Sequence, residues 1–108
     1  MTNNNNQVSV TYTDSQLRIL VEEYITMQKH EFTFKSLCSY VLYWAKEEGK
    51  TVNNGLYESV ELAQESCEIL SRILDKLVRE ARLKVTGTVK SDNEKSYGEG
   101  AMFEKQLL

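Results

Sequence analysis

The sequence has 108 residues, with 16 Asp and Glu against 13 Lys and Arg, one His, two Cys and no Pro. This length suits one domain with its own hydrophobic core, and two thiols are too few for a disulfide framework. With no signal-like N-terminus and no apolar run near the ~20 residues that span a bilayer, we expect a soluble, cytoplasmic protein without a membrane partner. Taken whole, the net charge of −3 disfavours an anionic partner such as DNA.

The N-terminal segment predicts a flexible tail over residues 1–12, because four consecutive Asn bury nothing. Val8 and Val10 alternate with polar residues, which allows a short edge strand or an extended lead-in. We place one domain after the tail, over residues 13–108.

The first helix has a clear start signal. Thr13 and Gln16 have the spacing of a capping box, and Tyr12 and Leu17 are placed as its hydrophobic staple. The apolar period predicts a helix that runs to about His30.

A second helix is predicted over residues 34–48, with Thr33 as its cap and Phe32 and Leu37 as its staple. Apolar residues fill most of its circumference, so it is buried on more than one side or pairs with another copy.

Residues 58–83 hold two apolar patterns, with Ser66 between them as a possible cap. They predict either a short helix, a tight turn near 65–67 and a longer helix, or one uninterrupted helix. From Leu83 to Lys90 the period alternates, and Gly98 and Gly100 permit a bent partner strand over 97–104. We therefore expect a C-terminal β-hairpin.

The run from Glu61 to Gly87 resembles the helix-turn-helix core of small winged-helix regulators of the MarR and ArsR type. Leu62 and Ala63 are similar to the "LA" of their support helix, and residues 71–74 with Leu77 are similar to their recognition helix. The turn and the residue before the first wing strand lack the Gly that many relatives carry. The resemblance implies a mainly α fold with a C-terminal β-hairpin, a winged helix-turn-helix with an extra N-terminal helix.

The resemblance also implies that the helix starting near Glu68 enters a major groove of double-stranded DNA. A helical wheel puts Arg72, Lys76 and Arg79 opposite the apolar face. Arg72 is the best candidate for a bidentate contact to guanine, whereas Lys76 and Arg79 suit phosphates. The expected DNA-binding residues are Ser66, Glu68, Ser71, Arg72, Lys76, Arg79 and, at the hairpin tip, Lys90, Asn93 and Lys95.

Charge is segregated along the chain. Residues 71–90 carry six cations against two acids, a net +4, so the remainder carries −7. Contact with phosphate depends on the charge of the local patch and not on the net charge of the whole chain. The alternative is a solvated face, with ion pairs from Glu68 to Arg72 and from Asp75 to Arg79.

Winged-helix regulators of this size usually act as dimers, and we expect a homodimer built from the first two helices. The expected interface residues are Leu17, Leu20, Tyr24, Tyr40, Tyr43 and Trp44.

No other chemistry finds support in the sequence. His30 has no second metal ligand nearby, and Cys38 and Cys67 sit in apolar patterns typical of small buried residues. Thiol sensing by Cys67 is an alternative. No catalytic constellation or phosphate loop is present. We expect no metal, no cofactor and no enzymatic activity.

The favoured function is a dimeric transcriptional regulator that represses by occupying a DNA site. One alternative is a partition adaptor of the TubR type, which binds plasmid or phage centromere repeats. Another, of a different class, is a winged-helix or helical-bundle module for protein–protein contact without DNA binding.

Overall fold

The computed structural model describes residues 7–47, 59–87 and 94–106. Its elements are, in chain order, β1 (Gln7–Val10), α1 (Asp14–Met27), β2 (Phe32–Thr33), α2 (Phe34–Glu47), β3 (Ser59–Leu62), α3 (Gln64–Arg79), β4 (Leu83–Val85) and β5 (Met102–Lys105). The described residues thus form a small α/β domain with three helices. Two small sheets accompany the helices, a parallel pair of β1 with β3 and an antiparallel sheet in the order β2, β5, β4.

Helix α1 begins as its sequence predicts. The Thr13 hydroxyl accepts the Gln16 backbone N–H at 3.2 Å, and the Gln16 side-chain oxygen accepts the Thr13 N–H at 3.0 Å. Tyr12 and Leu17 are buried beside this capping box. The helix ends at Met27, three residues before the predicted end at His30, because the backbone of Gln28 turns to an extended conformation.

Helix α2 begins with a second reciprocal cap. The Ser36 N–H donates to the Thr33 hydroxyl at 3.1 Å, and the Thr33 N–H donates to the Ser36 hydroxyl at 3.2 Å. Phe32 and Leu37 are both buried, as expected of a staple. The predicted cap of this helix is therefore confirmed.

Both interpretations of residues 58–83 are wrong. Residues 59–62 form strand β3, and α3 begins only at Gln64, after Ala63 in an extended conformation. Leu62 is thus a strand residue and Ala63 precedes a helix, so neither belongs to a support helix. The reason is a distant partner, because β3 pairs in parallel with β1 from Gln7↔Ser59 to Val10↔Leu62.

The same pairing corrects the predicted tail. Strand β1 begins at Gln7, and Val10 and Tyr12 are 3% exposed in the core. Residues 7–12 are therefore part of the domain, whereas residues 1–6 lie outside the described residues.

The antiparallel sheet contains the predicted hairpin and one strand more. Strands β4 and β5 pair with Val85 opposite Phe103, and β2 adds to the other edge of β5 with Phe32 opposite Phe103. Gly98 and Gly100 precede β5 and lie outside the strand. Of the residues predicted at the tip, Lys90 and Asn93 lie outside the described residues, whereas Lys95 is described.

One hydrophobic cluster joins these elements. Phe103 is fully buried at its centre, with its ring 5.6 Å from that of Phe32 and 4.9 Å from that of Tyr97. The largest fully buried side chains also include those of Leu17, Val21, Leu37, Val41, Leu70, Leu74 and Leu83. Since α3 packs through this cluster, the core fixes which of its faces meets solvent.

Candidate nucleic-acid interface

Helix α3 has one face in the core and one in solvent. Leu70, Leu74 and Leu77 are at most 4% exposed, as the apolar period predicts. The three cationic residues on the opposite side, Arg72, Lys76 and Arg79, are all exposed. Their positions three and four residues apart place them on neighbouring turns of one helix face.

This cationic face borders a groove between α3 and α1. The groove has a volume of about 370 Å³ and includes Arg18 of α1, which the sequence analysis did not single out. It is lined by Asp14, Arg18, Glu22, Arg72, Ile73, Lys76, Leu77, Arg79, Glu80 and Arg82. Five of these residues are cationic and three are acidic, so the groove has a net positive charge.

Two of the three acids in the groove are paired with arginines. Asp14 lies 2.5 Å from Arg18, one helical turn away. Glu22 accepts two hydrogen bonds from Arg82, at 2.8 and 2.6 Å. The hydrogen bond from Arg82 lowers the pKa of the Glu22 carboxyl below its ordinary value of 4.5 and holds it ionised. Arg82 is therefore a structural cation and not a free one.

Arg72, Lys76 and Arg79 form no salt bridge with any residue of the described ranges. The pairs expected for a solvated face, Glu68 with Arg72 and Asp75 with Arg79, are not formed. Asp75 instead accepts the Tyr97 hydroxyl at 2.5 Å. The hydrogen-bonding capacity of these three cations is thus directed to solvent or to a ligand.

Two residues expected at the DNA surface are buried instead. Ser66 and Ser71 are both 0% exposed. The Ser66 hydroxyl accepts the Tyr12 N–H, and the Ser71 hydroxyl accepts the Tyr97 N–H, both at 3.0 Å. These predictions are wrong because the two hydroxyls satisfy buried backbone donors from distant segments.

The remaining predicted DNA-binding residues differ in exposure. Glu68 is half-buried on α3 and accepts a hydrogen bond from the Gln64 side chain at 3.4 Å. Lys95 is exposed in the segment before β5. The structure thus leaves Arg72, Lys76, Arg79 and Lys95 as exposed cations among the predicted residues it describes.

The residues predicted for the dimer interface also differ in exposure. Leu17, Leu20 and Tyr24 are at most 8% exposed, because they pack in the chain's own core, and they offer almost no surface to a second copy. Tyr43 of α2 is 55% exposed, and its ring lies 5.4 Å from that of Trp44. Tyr40 and Trp44 are half-buried beside it.

The structure gives no support for a metal site or a membrane-spanning helix in the part of the chain that it describes. No group of three or more His, Cys, Asp or Glu side chains is placed to hold a metal ion there. No helix in the same ranges combines the length and apolar character needed to cross a bilayer.

Comparison with protein-family models, with curated proteins and with solved structures gave no match to this chain. Any assignment of function therefore depends on the geometry and charge of the site.

Proposed function

We propose that this protein is a winged-helix DNA-binding protein in which α3 is the recognition helix and β4 and β5 form the wing. The order of elements supports this proposal, since α1, β2, α2 and α3 are followed by two antiparallel strands and β2 joins their sheet. The first helix of the helix-turn-helix is then α2. Its link to α3 is long and includes β3, where many such motifs have a tight turn.

The observation that carries the proposal is the set of free cations on α3. Arg72, Lys76 and Arg79 project from the face opposite the core, and no described carboxylate forms a salt bridge with them. A helix that is anchored on one face and cationic on the other suits a groove lined by phosphates. The acids of α1 repel DNA phosphates less than free carboxylates would, because Asp14 and Glu22 are each paired with an arginine.

Each cation has a distinct expected role. Arg72 has the planar fork that contacts the O6 and N7 atoms of guanine, worth about 1–3 kcal/mol of discrimination. Lys76 and Arg79 follow toward the C-terminal end of α3 and would contact phosphates, which position the helix without reading sequence. Lys95 would contact the backbone beside the wing.

We further propose that the protein binds as a homodimer and regulates transcription by occupying its site. Two recognition helices related by a two-fold axis read half-sites about one turn of DNA apart. Tyr43 and its neighbours Tyr40 and Trp44 are the aromatic surface that favours α2 as the dimer contact, because exposed aromatic clusters are enriched in interfaces.

Fluorescence anisotropy with a labelled random duplex tests DNA binding. We expect binding at low salt, with an affinity that falls as salt rises. Replacing Arg72 and Lys76 together by Ala should weaken binding by about tenfold or more and reduce the slope of log affinity against log salt by about 1–2.

Lys29→Ala is the matched control, because Lys29 is an exposed cation outside the groove. Circular dichroism should show that all variants remain folded. No binding at low salt, or equal binding by the double variant and the control, would contradict the proposal.

A further inference from the structure

The two cysteines, 29 positions apart in sequence, line one cavity. Cys38 lies on α2 and Cys67 in the first turn of α3, and both are half-buried free thiols. The cavity has a volume of about 400 Å³, and Tyr97 and Gly98 also line it. The sequence placed each cysteine in an apolar pattern and gave no sign that the two would meet.

Each thiol shifts the pKa of the other, because both side chains line this one cavity. Interaction with the Cys67 side chain raises the pKa of Cys38, and burial raises it further. The same interaction lowers the pKa of Cys67, against the opposing effects of burial and of the Glu61 and Glu68 carboxylates. In the neutral pair, the Cys67 thiol also donates to the Leu62 carbonyl at 3.8 Å. The two thiols are therefore unequal, and Cys67 is the one that more readily becomes a thiolate.

A second feature of Cys67 favours the thiolate. Its position in the first turn of α3 puts it near the positive end of the helix dipole, which stabilises a thiolate. Cys38 lies in the second turn of α2, where the helix dipole gives a thiolate less stabilisation.

We propose that Cys38 and Cys67 are a redox-active pair, in which a hydroperoxide oxidises Cys67 and Cys38 then closes an intramolecular disulfide. The cavity gives a small oxidant access to both sulfurs. A disulfide requires sulfurs about 2 Å apart, so the two free thiols must turn toward each other within the cavity.

The reaction balances in two steps. The Cys67 thiolate attacks the terminal oxygen of the hydroperoxide, the O–O bond breaks, and the leaving alkoxide takes a proton from water and departs as an alcohol. Cys67 is thereby oxidised to a sulfenic acid. The Cys38 sulfur then attacks the Cys67 sulfur, the S–O bond breaks, and hydroxide leaves as water with the Cys38 proton. In total, two thiols lose two electrons to one hydroperoxide.

The bond would tie the second turn of α2 to the first turn of α3. Helix α3 also carries Arg72, Lys76 and Arg79. The cross-link would therefore lie at the N-terminal end of the proposed DNA-binding helix. Formation of the disulfide itself does not depend on the proposed DNA binding.

Treatment of the reduced full-length protein with hydrogen peroxide tests the pair, with intact mass and peptide mapping as readouts. We expect a mass loss of two hydrogen atoms and a peptide that joins Cys38 to Cys67, in protein that stays unlinked to other copies. Persistent free thiols, or only intermolecular disulfides, would overturn the proposal.

Single variants test the two roles. Cys67→Ser should lower the rate of thiol oxidation by about tenfold or more, because burial still raises the pKa of the remaining Cys38 thiol and the helix dipole stabilises its thiolate less. Cys38→Ser should still react at Cys67, and its sulfenic acid should accumulate and be trapped by dimedone. Oxidation of Cys38 in Cys67→Ser as fast as in the unaltered protein would show that the assignment of the primary site is wrong. Circular dichroism should show that both Ser variants are folded, and matching Cys→Ala variants repeat the comparison if one is not.

Discussion

Arg82 and Glu22 join the turn after α3 to the middle of α1 through two hydrogen bonds, 2.8 and 2.6 Å long. Their sequence separation is 60 residues, so the pair fixes two elements that the chain itself does not connect closely. Both residues also line the groove that contains Arg72 and Lys76. Its side chains are 41% and 50% exposed, which keeps the energy of the interaction modest.

The Glu22–Arg82 pair predicts a pH dependence of stability. The folded-state pKa of Glu22 is lowered, so the pair stabilises the fold above the ordinary carboxyl pKa of 4.5, and this contribution is lost as pH falls through the folded-state value. Glu22→Gln should cost about 0.5–1 kcal/mol near neutral pH and progressively less in acid. Urea unfolding at several pH values measures the difference.

Glu31→Gln is the control for that measurement, because Glu31 is an exposed carboxylate in the loop before β2. Glu31→Gln should change the free energy of unfolding by less than Glu22→Gln near neutral pH, and its effect should stay small in acid. A Glu22→Gln penalty that stays constant into acid would show that packing, and not charge, links the two elements. High salt should reduce the penalty as well.

Ala81 has a backbone conformation that favours glycine, with a φ of 61°. The Arg82 N–H donates to the Leu77 carbonyl and the Ala81 N–H to the Val78 carbonyl, at 2.9 and 3.0 Å, which is the hydrogen-bond pattern of a Schellman motif after α3. Ala81→Gly should stabilise the fold by about 0.5–1 kcal/mol, because removal of the Cβ relieves the left-handed strain. The urea midpoint should rise.

Gly98→Ala gives a useful comparison, since an added Cβ there meets nothing within 4 Å and no left-handed φ is required. It should change stability by much less than Ala81→Gly. A lower urea midpoint for Ala81→Gly would mean that chain entropy in the unfolded state outweighs the strain at this turn.

The sequence predicted the parts of the fold that local chemistry decides. Thr13 with Gln16 and Thr33 with its following helix are signals within four residues, and both caps form. The apolar period of α3 also identified its buried face correctly. In contrast, β3 forms because residues 59–62 meet Gln7–Val10, and no local pattern encodes a partner 52 positions away.

The same distinction between local and long-range signals explains which residues of the candidate site were predicted correctly. A helical wheel separates cationic from apolar positions, so it found the exposed Arg72, Lys76 and Arg79. It treated small polar residues as surface, whereas Ser66 and Ser71 bind backbone donors of other segments. The cavity that the two cysteines share escaped prediction for the same reason, because it forms only in the folded domain.

The buried Ser71 hydroxyl predicts a loss of stability without a loss of binding. It accepts the Tyr97 N–H at 3.0 Å and donates to the Cys67 carbonyl at 2.9 Å. Ser71→Ala removes this buried hydrogen bond from the Tyr97 N–H and should cost about 1–3 kcal/mol. Thermal or urea unfolding measures this, with the exposed Ser15→Ala as the control.

DNA affinity tests whether Ser71 has a structural role only or also contacts DNA. Since the side chain is fully buried, affinity measured where the variant is folded should equal that of the unaltered protein. A weaker affinity with unchanged stability would indicate that Ser71 contacts DNA directly.

The exposed aromatic surface of α2 predicts how the protein dimerises. Tyr43→Lys puts a charge in the proposed contact, where burial without a partner is unfavourable, and it should convert a dimer to a monomer with its fold intact. Analytical ultracentrifugation at tens of micromolar protein, together with circular dichroism, measures both properties.

Ile19→Lys is the matched control, because Ile19 is an equally prominent apolar side chain, 61% exposed against 55% for Tyr43, but lies on α1. The helical period places Ile19 opposite the buried face of α1, away from both α2 and α3. It should leave the dimer intact. If Ile19→Lys dissociates the dimer and Tyr43→Lys does not, the contact lies on the outer face of α1. A monomer before any substitution would remove the dimer from the proposed mechanism and leave α3 to bind a single half-site.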